Sequence, residues 1–126
     1  MSFRIYNTLT RSVQEVTSLE PGHVRMYTCG PTVYNIAHIG NFRAYVFEDL
    51  LRRWLQFKGW RVTQVMNLTD VDDKTIHGSR EAGVSLADFT APFKKAFFED
   101  LRALNIEPAE YYPAATDHIP EMIELI

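Results

Sequence analysis

The stretch Thr28-Cys29-Gly30-Pro31-Thr32-Val33-Tyr34-Asn35-Ile36-Ala37-His38-Ile39-Gly40-Asn41 brings a thiol and an imidazole close together in sequence. Cys29 is the single cysteine of the chain. A thiolate is both a nucleophile and a soft metal ligand. His38-Ile39-Gly40-Asn41 opens a helical pattern, and a helix start offers unpaired N–H groups and partial positive charge to a phosphate. Glycine at that mouth lets backbone approach a ligand closely. A histidine there can donate to phosphate oxygens while charge builds up in a transition state. The layout suits a nucleotide site with a thiol or metal site beside it.

Each half also has a plain structural reading. Asn41 can cap the helix with His38 a mere loop residue. Cys29 can fill space at a strand end as a small buried side chain. Zinc bound through Cys29 needs three more ligands, or two and a substrate. The histidines His23, His38, His77 and His118 stand at no ligand-like spacing from it. In Asn67-Leu68-Thr69-Asp70-Val71-Asp72-Asp73-Lys74 the carboxylates are dense, but the glycine and distal glutamate of a calcium loop are missing. Asp72 and Asp73 fit an acidic first helical turn, with Thr69 or Asp70 as its cap. Thr69 differs from these, because it ends a strand on the same sheet edge as Cys29 and can face the same pocket.

The elements that position these groups follow from periodicity. Phe3 to Tyr6 and Val13 to Val16 read as a hairpin or small ribbon. Val24 to Thr28 is a strand, expected to be buried, and Gly30-Pro31 stops it. Asn41 to Lys58 is the clearest helix. Its apolar face is read from Phe47, Leu50, Leu51, Trp54, Leu55 and Phe57, with Glu48, Asp49, Arg52 and Arg53 mostly opposite and Gly59 at the C-cap. Arg61 to Asn67 is the next strand. Strand, helix, strand makes a βαβ unit with a parallel sheet and a right-handed crossover. Asp70 to Glu81 reads as a helix ending near Gly83. Ser85-Leu86-Ala87-Asp88 has the form of a capping box and opens a helix to about Leu104, with Phe89, Phe93, Phe97 and Leu101 on one face. Pro108 to Ala115 is a loop, and Asp117 to Ile126 begins another helix.

That last stripe, with Met122, Ile123, Leu125 and Ile126, meets no cap or polar tail. The candidate sheet strands are also too few for a doubly wound α/β domain. Residues 1–126 therefore read as the front part of a larger protein, one portion of a nucleotide-binding domain.

Bulk properties exclude more than they assign. The chain's 126 residues suffice for one domain, and 46% hydrophobic content argues against disorder. No apolar run approaches the ~18 residues that span a bilayer. Met1 to Leu9 mixes polar with apolar residues, unlike a secretory signal. One cysteine cannot form an intrachain disulfide, which points to a reducing, cytoplasmic setting. Thirteen basic against sixteen acidic side chains give a net charge of −3 with no nucleic-acid patch. If the protein acts on RNA, its main RNA-binding surface is expected elsewhere.

Taken together, the motifs are specific. Met26-Tyr27-Thr28-Cys29-Gly30-Pro31-Thr32-Val33-Tyr34, Ala37-His38-Ile39-Gly40-Asn41, Asn67 to Lys74 and Ala115-Thr116-x-His118-Ile119 resemble, in order and spacing, the cysteinyl-tRNA synthetase family. Tyr6-Asn7-Thr8-Leu9-Thr10 is similar too, so the resemblance runs from about residue 3 to the end. It implies a class I, Rossmann-like catalytic domain that activates L-cysteine with ATP and Mg2+ and then charges tRNA(Cys). It implies that Cys29 is the first ligand of a Zn2+ that grips the substrate thiolate, with Gly30 and Thr69 lining the cysteine pocket. It also implies that His38, Gly40 and Asn41 stabilise the ATP phosphates, with Thr32 near the nucleotide. Zinc explains the selectivity, since a soft thiolate binds zinc far better than a hydroxyl does, and pocket shape separates serine from cysteine poorly.

Two residues depart from the family pattern. Asn41 stands where the family's ATP element has a second histidine, and Ala114 where it often has arginine. The remaining zinc ligands, the lysine-bearing ATP loop and the tRNA-binding helical domain are expected beyond residue 126, so this segment alone is not expected to aminoacylate or to bind tRNA well. Two other readings stay open. One is the related ligase that joins cysteine to an amino-sugar inositol in mycothiol synthesis. The other is a non-catalytic βα module.

Overall fold

The computed structural model describes residues 3–126; Met1 and Ser2, part of the N-terminal stretch read above, lie outside the described residues. Strands β1 (Arg4–Asn7) and β2 (Ser12–Glu15) form the expected antiparallel hairpin, with Arg4 opposite Glu15 and Asn7 opposite Ser12. Strand β3 (His23–Thr28), helix α1 (Ile39–Phe57) and strand β4 (Arg61–Met66) form the expected βαβ unit. β3 and β4 run parallel, from His23 beside Arg61 to Thr28 beside Met66. Helices α2 (Asp73–Ala82), α3 (Leu86–Ala103) and α4 (Ile119–Leu125) follow, the last entered through a 3-10 turn, Ala115–His118.

The helix ends carry their own chemistry. α1 stops in a Schellman arrangement: the Trp60 N–H donates to the Leu55 carbonyl at 3.1 Å and the Gly59 N–H to that of Gln56 at 2.9 Å. Gly59 adopts φ +87°, a left-handed conformation that glycine takes without a Cβ penalty. α3 ends the same way on Asn105 (φ 55°), with the Ile106 N–H donating to Leu101. α2 begins at Asp72, which accepts from the Thr75 N–H at 2.8 Å; neither Thr69 nor Asp70 caps it. Ser85 caps α3 as expected.

One core joins these elements. Phe42 and Tyr45 of α1, Met66 of β4, Leu68, Phe97 and Leu101 of α3, and Ile106, Ala109 and Ala114 form its buried cluster. Tyr45 meets the rings of Phe42 and Phe97 edge-on, with centroids 5.5 and 5.4 Å apart. Val62, Gln64, Met66 and Leu68 alternate into the core, the period of two expected of a strand.

Three expectations need correction here. The buried face of α1 is Phe42, Tyr45, Arg52 and Leu55, while Phe47, Leu50 and Phe57 are exposed. Apolar residues occur all round this helix, so its periodicity allowed two faces. Packing selected the one on which Arg52 donates to Glu110 (2.6 Å), to the Pro108 carbonyl (2.7 Å) and to Gln64 (3.4 Å). β3 is buried only at His23 and Thr28, and Tyr27 lies open, because β4 is its one strand neighbour among the described residues. Finally, the 108–115 loop acts as a further parallel neighbour of β4. The Met66 N–H donates to Tyr111, Leu68 to Pro113 and Ala115 to Leu68, with bridges Val65–Tyr111 and Leu68–Ala114. Its prolines, Pro108 and Pro113, hid that role from a strand pattern.

Candidate active site

β3 and β4 end side by side, and their pairing continues past the last ladder residue. The Thr69 N–H donates to the Pro31 carbonyl and the Val33 N–H to that of Thr69, each at 3.0 Å, which places Thr32 beside Thr69. The Gly30 N–H donates to Asn67 Oδ1 at 3.1 Å, and Asn67 Nδ2 donates to the Thr69 hydroxyl at 3.0 Å. A Cβ at Gly30 would lie 1.8 Å from the Asn67 carbonyl oxygen, so only glycine lets the two chains approach this closely. Thr69 is thus fixed by backbone on one side and by Asn67 on the other.

His38 is the N-cap of α1, not a loop residue, and the helix begins at Ile39, ahead of the expected Asn41. His38 Nδ1 accepts from the Gly40 N–H at 3.0 Å. Asn41 is the third helical residue, and its Oδ1 accepts from the His38 N–H at 3.1 Å, closing a reciprocal capping box. An Nδ1 that accepts puts the proton of the neutral ring on Nε2, the nitrogen left to serve a ligand. Asn41 Nδ2 is likewise its remaining donor. A Cβ at Gly40 would come within 2.8 Å of the His38 ring, so glycine here makes room for the cap.

Gly30, Thr32, His38 and Asn41 line one cleft of about 310 Å3, together with Pro31, Tyr34, Tyr45 and Lys74. Gly40 faces an adjoining groove beside Phe42 and Val46, and reaches the cleft only through its bond to His38. Cys29 is exposed just outside the cleft wall at the end of β3, which rules out the reading of it as a buried filler. Thr69 pairs laterally with Thr32 and does not itself line the cleft.

Sequence reasoning missed Tyr34, Tyr45 and Lys74. Burial, followed by the nearby Cys29 and Glu48, pushes the Tyr45 hydroxyl up to about 12, so it stays a proton donor at neutral pH. Burial also raises the Glu48 carboxyl against a lowering contact from Thr28, and Glu48 Oε2 is buried without a partner. For Lys74 a signal existed: a cation in the first turn of a helix opposes the macrodipole.

Asp70 follows Thr69 and is buried. It accepts from Lys94 Nζ (2.6 Å), the Thr116 hydroxyl (2.6 Å) and the Thr116 N–H (2.9 Å). Burial opposes its ionisation, but these bonds and the Lys94 charge together hold its carboxyl below the ordinary value of 3.8. A structural role is therefore clear for the Asp70 and Thr116 pair.

The thiol is the one soft ligand available for zinc. Among the described residues no three His, Cys, Asp or Glu side chains come together around a possible metal, so these residues by themselves do not make a tetrahedral site.

Residues 15–126 match the family model described as tRNA synthetases class I (C) catalytic domain. The chain is 63% identical over 123 residues to a protein of Protochlamydia amoebophila named cysteine–tRNA ligase, covering 98% of this chain and 26% of that protein. Proteins of the same name from Brachyspira hyodysenteriae and Chlamydia felis are 59% and 57% identical, over 96% and 97% of this chain and 26% and 25% of theirs. The chain thus spans about a quarter of the length of these relatives. Among solved structures, Mycobacterium tuberculosis methionyl-tRNA synthetase in complex with methionyl-adenylate superposes with a TM-score of 0.69 at 20% identity, over 76% of this chain and 19% of that one. With the parallel βαβ unit, the motif-bearing cleft and these matches in agreement, the chain belongs to the class I tRNA synthetases, in the catalytic-domain family of the cysteine enzymes.

Proposed function

We propose that residues 1–126 are the N-terminal portion of the catalytic domain of a cysteine–tRNA ligase. In that reading the cleft binds ATP with Mg2+, and L-cysteine lies on the Cys29, Gly30 and Thr69 side. The observation that carries it is the meeting of Gly30, Thr32, His38 and Asn41 in one cleft, with His38 held as a cap and its Nε2 left over.

The substrate carboxylate attacks the α-phosphorus of ATP, pyrophosphate leaves, and cysteinyl-adenylate forms. A hydroxyl of the tRNA(Cys) terminus then attacks the carbonyl and AMP leaves. The protein's part in the first step is positional and electrostatic. The His38 Nε2–H, the Asn41 amide and the α1 start serve the phosphates, and Gly30 lets the cysteine backbone approach the sheet edge. Cys29 is assigned as one zinc ligand, its partners coming from residues outside this segment, and the metal would supply selection of thiol over hydroxyl.

The relatives' shared name favours tRNA over an amino sugar as acceptor. No described helix is long and apolar enough to cross a membrane, and a cytoplasmic location is part of the proposal.

The test uses the full protein that carries this segment. Cysteine-dependent ATP–pyrophosphate exchange is expected, and Cys29→Ser should lower both zinc content and the preference for cysteine over serine. Exchange without cysteine dependence would overturn the activity. Unchanged zinc content and selectivity in Cys29→Ser would remove its ligand role.

A further inference from the structure

No carboxylate lines the cleft, and Lys74 is the fixed positive charge on its wall. Lys74 occupies the second position of α2, where the helix dipole disfavours a cation, so its placement has a local cost. Lys94 and Lys95 each reach a carboxylate, whereas Lys74 enters no ion pair among the described residues. Its Nζ instead sits 4.6 Å from the centroid of the Tyr34 ring and 3.5 Å from the Tyr34 hydroxyl. A ring face holds an ammonium without neutralising it and leaves its N–H donors for another acceptor. Tyr34 belongs to the same cleft-lining loop as Thr32 and leads into His38. The α2 cation is therefore fastened to the segment that ends in the His38 cap.

We propose that Lys74, seated on Tyr34, binds the phosphate chain of a nucleoside triphosphate in this cleft, alongside the start of α1. The amide and backbone N–H groups of this lining bring no formal charge to a polyphosphate; an ammonium in a cleft without carboxylates adds one to whatever Mg2+ brings. Tyr34 is a positioning residue, and its ring sets where the ammonium waits. The inference rests on the ATP reading of the cleft and adds a residue to it. An amino-acid carboxylate has the same oxyanion chemistry, so the test separates the two ligands.

The full protein that carries this segment is titrated calorimetrically with ATP, adenosine and L-cysteine, as wild type and as Lys74→Met, Lys74→Arg, Tyr34→Phe and Tyr34→Ala. Lys74 is exposed, and thermal melting checks that each variant folds. Wild type should prefer ATP to adenosine. Lys74→Met should cut that preference by about ten-fold or more, with adenosine affinity unchanged. Lys74→Arg should restore it, Tyr34→Phe should keep it and Tyr34→Ala should lose part of it. An ATP-to-adenosine ratio unchanged in Lys74→Met overturns the inference while leaving the ATP cleft intact. Weakened cysteine binding with unchanged ATP binding reassigns the ammonium to a carboxylate and overturns it too. A wild-type chain that binds neither ATP nor adenosine overturns the underlying cleft reading.

Discussion

His38 serves structure through Nδ1, and in the proposed reading its Nε2 serves the ATP phosphates. Asparagine is among the best N-caps, but its remaining donor, Nδ2, lies nearer the backbone than the imidazole Nε2 does, so His38→Asn separates the two roles. We expect His38→Asn to melt close to wild type while exchange activity in the full protein falls by about a hundred-fold. His38→Ala should lose the activity and also about 1 kcal/mol of stability. Wild-type exchange in His38→Asn would remove the imidazole from the chemistry. Gly30 is the other residue with a forced identity. Gly30→Ala sets a methyl group 1.8 Å from the Asn67 oxygen, so a loss of about 1–3 kcal/mol is expected in denaturant unfolding. The positions of His38 and Asn41 at a helix start and of Gly30 at a strand end were readable as a pattern, but the pattern did not say which of His38 and Asn41 caps the helix. That was settled by geometry, since the two side chains exchange bonds.

At the scale of elements, Asp70 ties β4 to α3 and to the turn before α4. Its carboxyl is held below 3.8 in the folded chain. The folded state therefore favours the ionised form, and this stabilisation is fully present above about pH 4 and is lost as pH falls through the depressed value. Asp70→Asn should lower the melting temperature at neutral pH and flatten its fall below pH 4; an acid limb of unchanged steepness would show that other carboxylates carry it. Glu48 has the opposite sign. Its carboxyl is raised above 4.5 by burial, so its contribution is complete below that value and weakens as pH rises through the raised one. Arg52 belongs at this scale as well. Removing a buried guanidinium that serves Glu110, Gln64 and the Pro108 carbonyl should cost about 2 kcal/mol in Arg52→Leu, read by urea unfolding. Sequence placed Arg52 on the solvent side because charge normally belongs there; two of its partners, Pro108 and Glu110, lie more than fifty residues away in sequence.

For the molecule as a whole, the α1 face carrying Phe47, Leu50 and Phe57 is exposed. The chain also covers about a quarter of its relatives' length. Apolar surface of this kind drives association in water. The apparent mass of the 126-residue chain in light scattering is expected to rise with concentration, and Leu50→Lys with Phe57→Glu should lower that rise while leaving circular dichroism unchanged. Equal scattering from the double variant would place the sticky surface elsewhere.

Local sequence was enough for the hairpin, the βαβ order, the helix boundaries to within a few residues and the motif positions. Those are local matters: turn residues, caps and periodicity act over a few residues, and glycine and proline mark their limits. Tertiary structure alone decided which face of α1 is buried, that the 108–115 segment lies along β4, and that Lys74 and Tyr34 join the cleft. Each of these depends on contacts between residues far apart in the chain. A helix with apolar residues on every side, a proline-rich segment and a lysine against a helix dipole look ambiguous or unfavourable until the partner that accounts for them is in place.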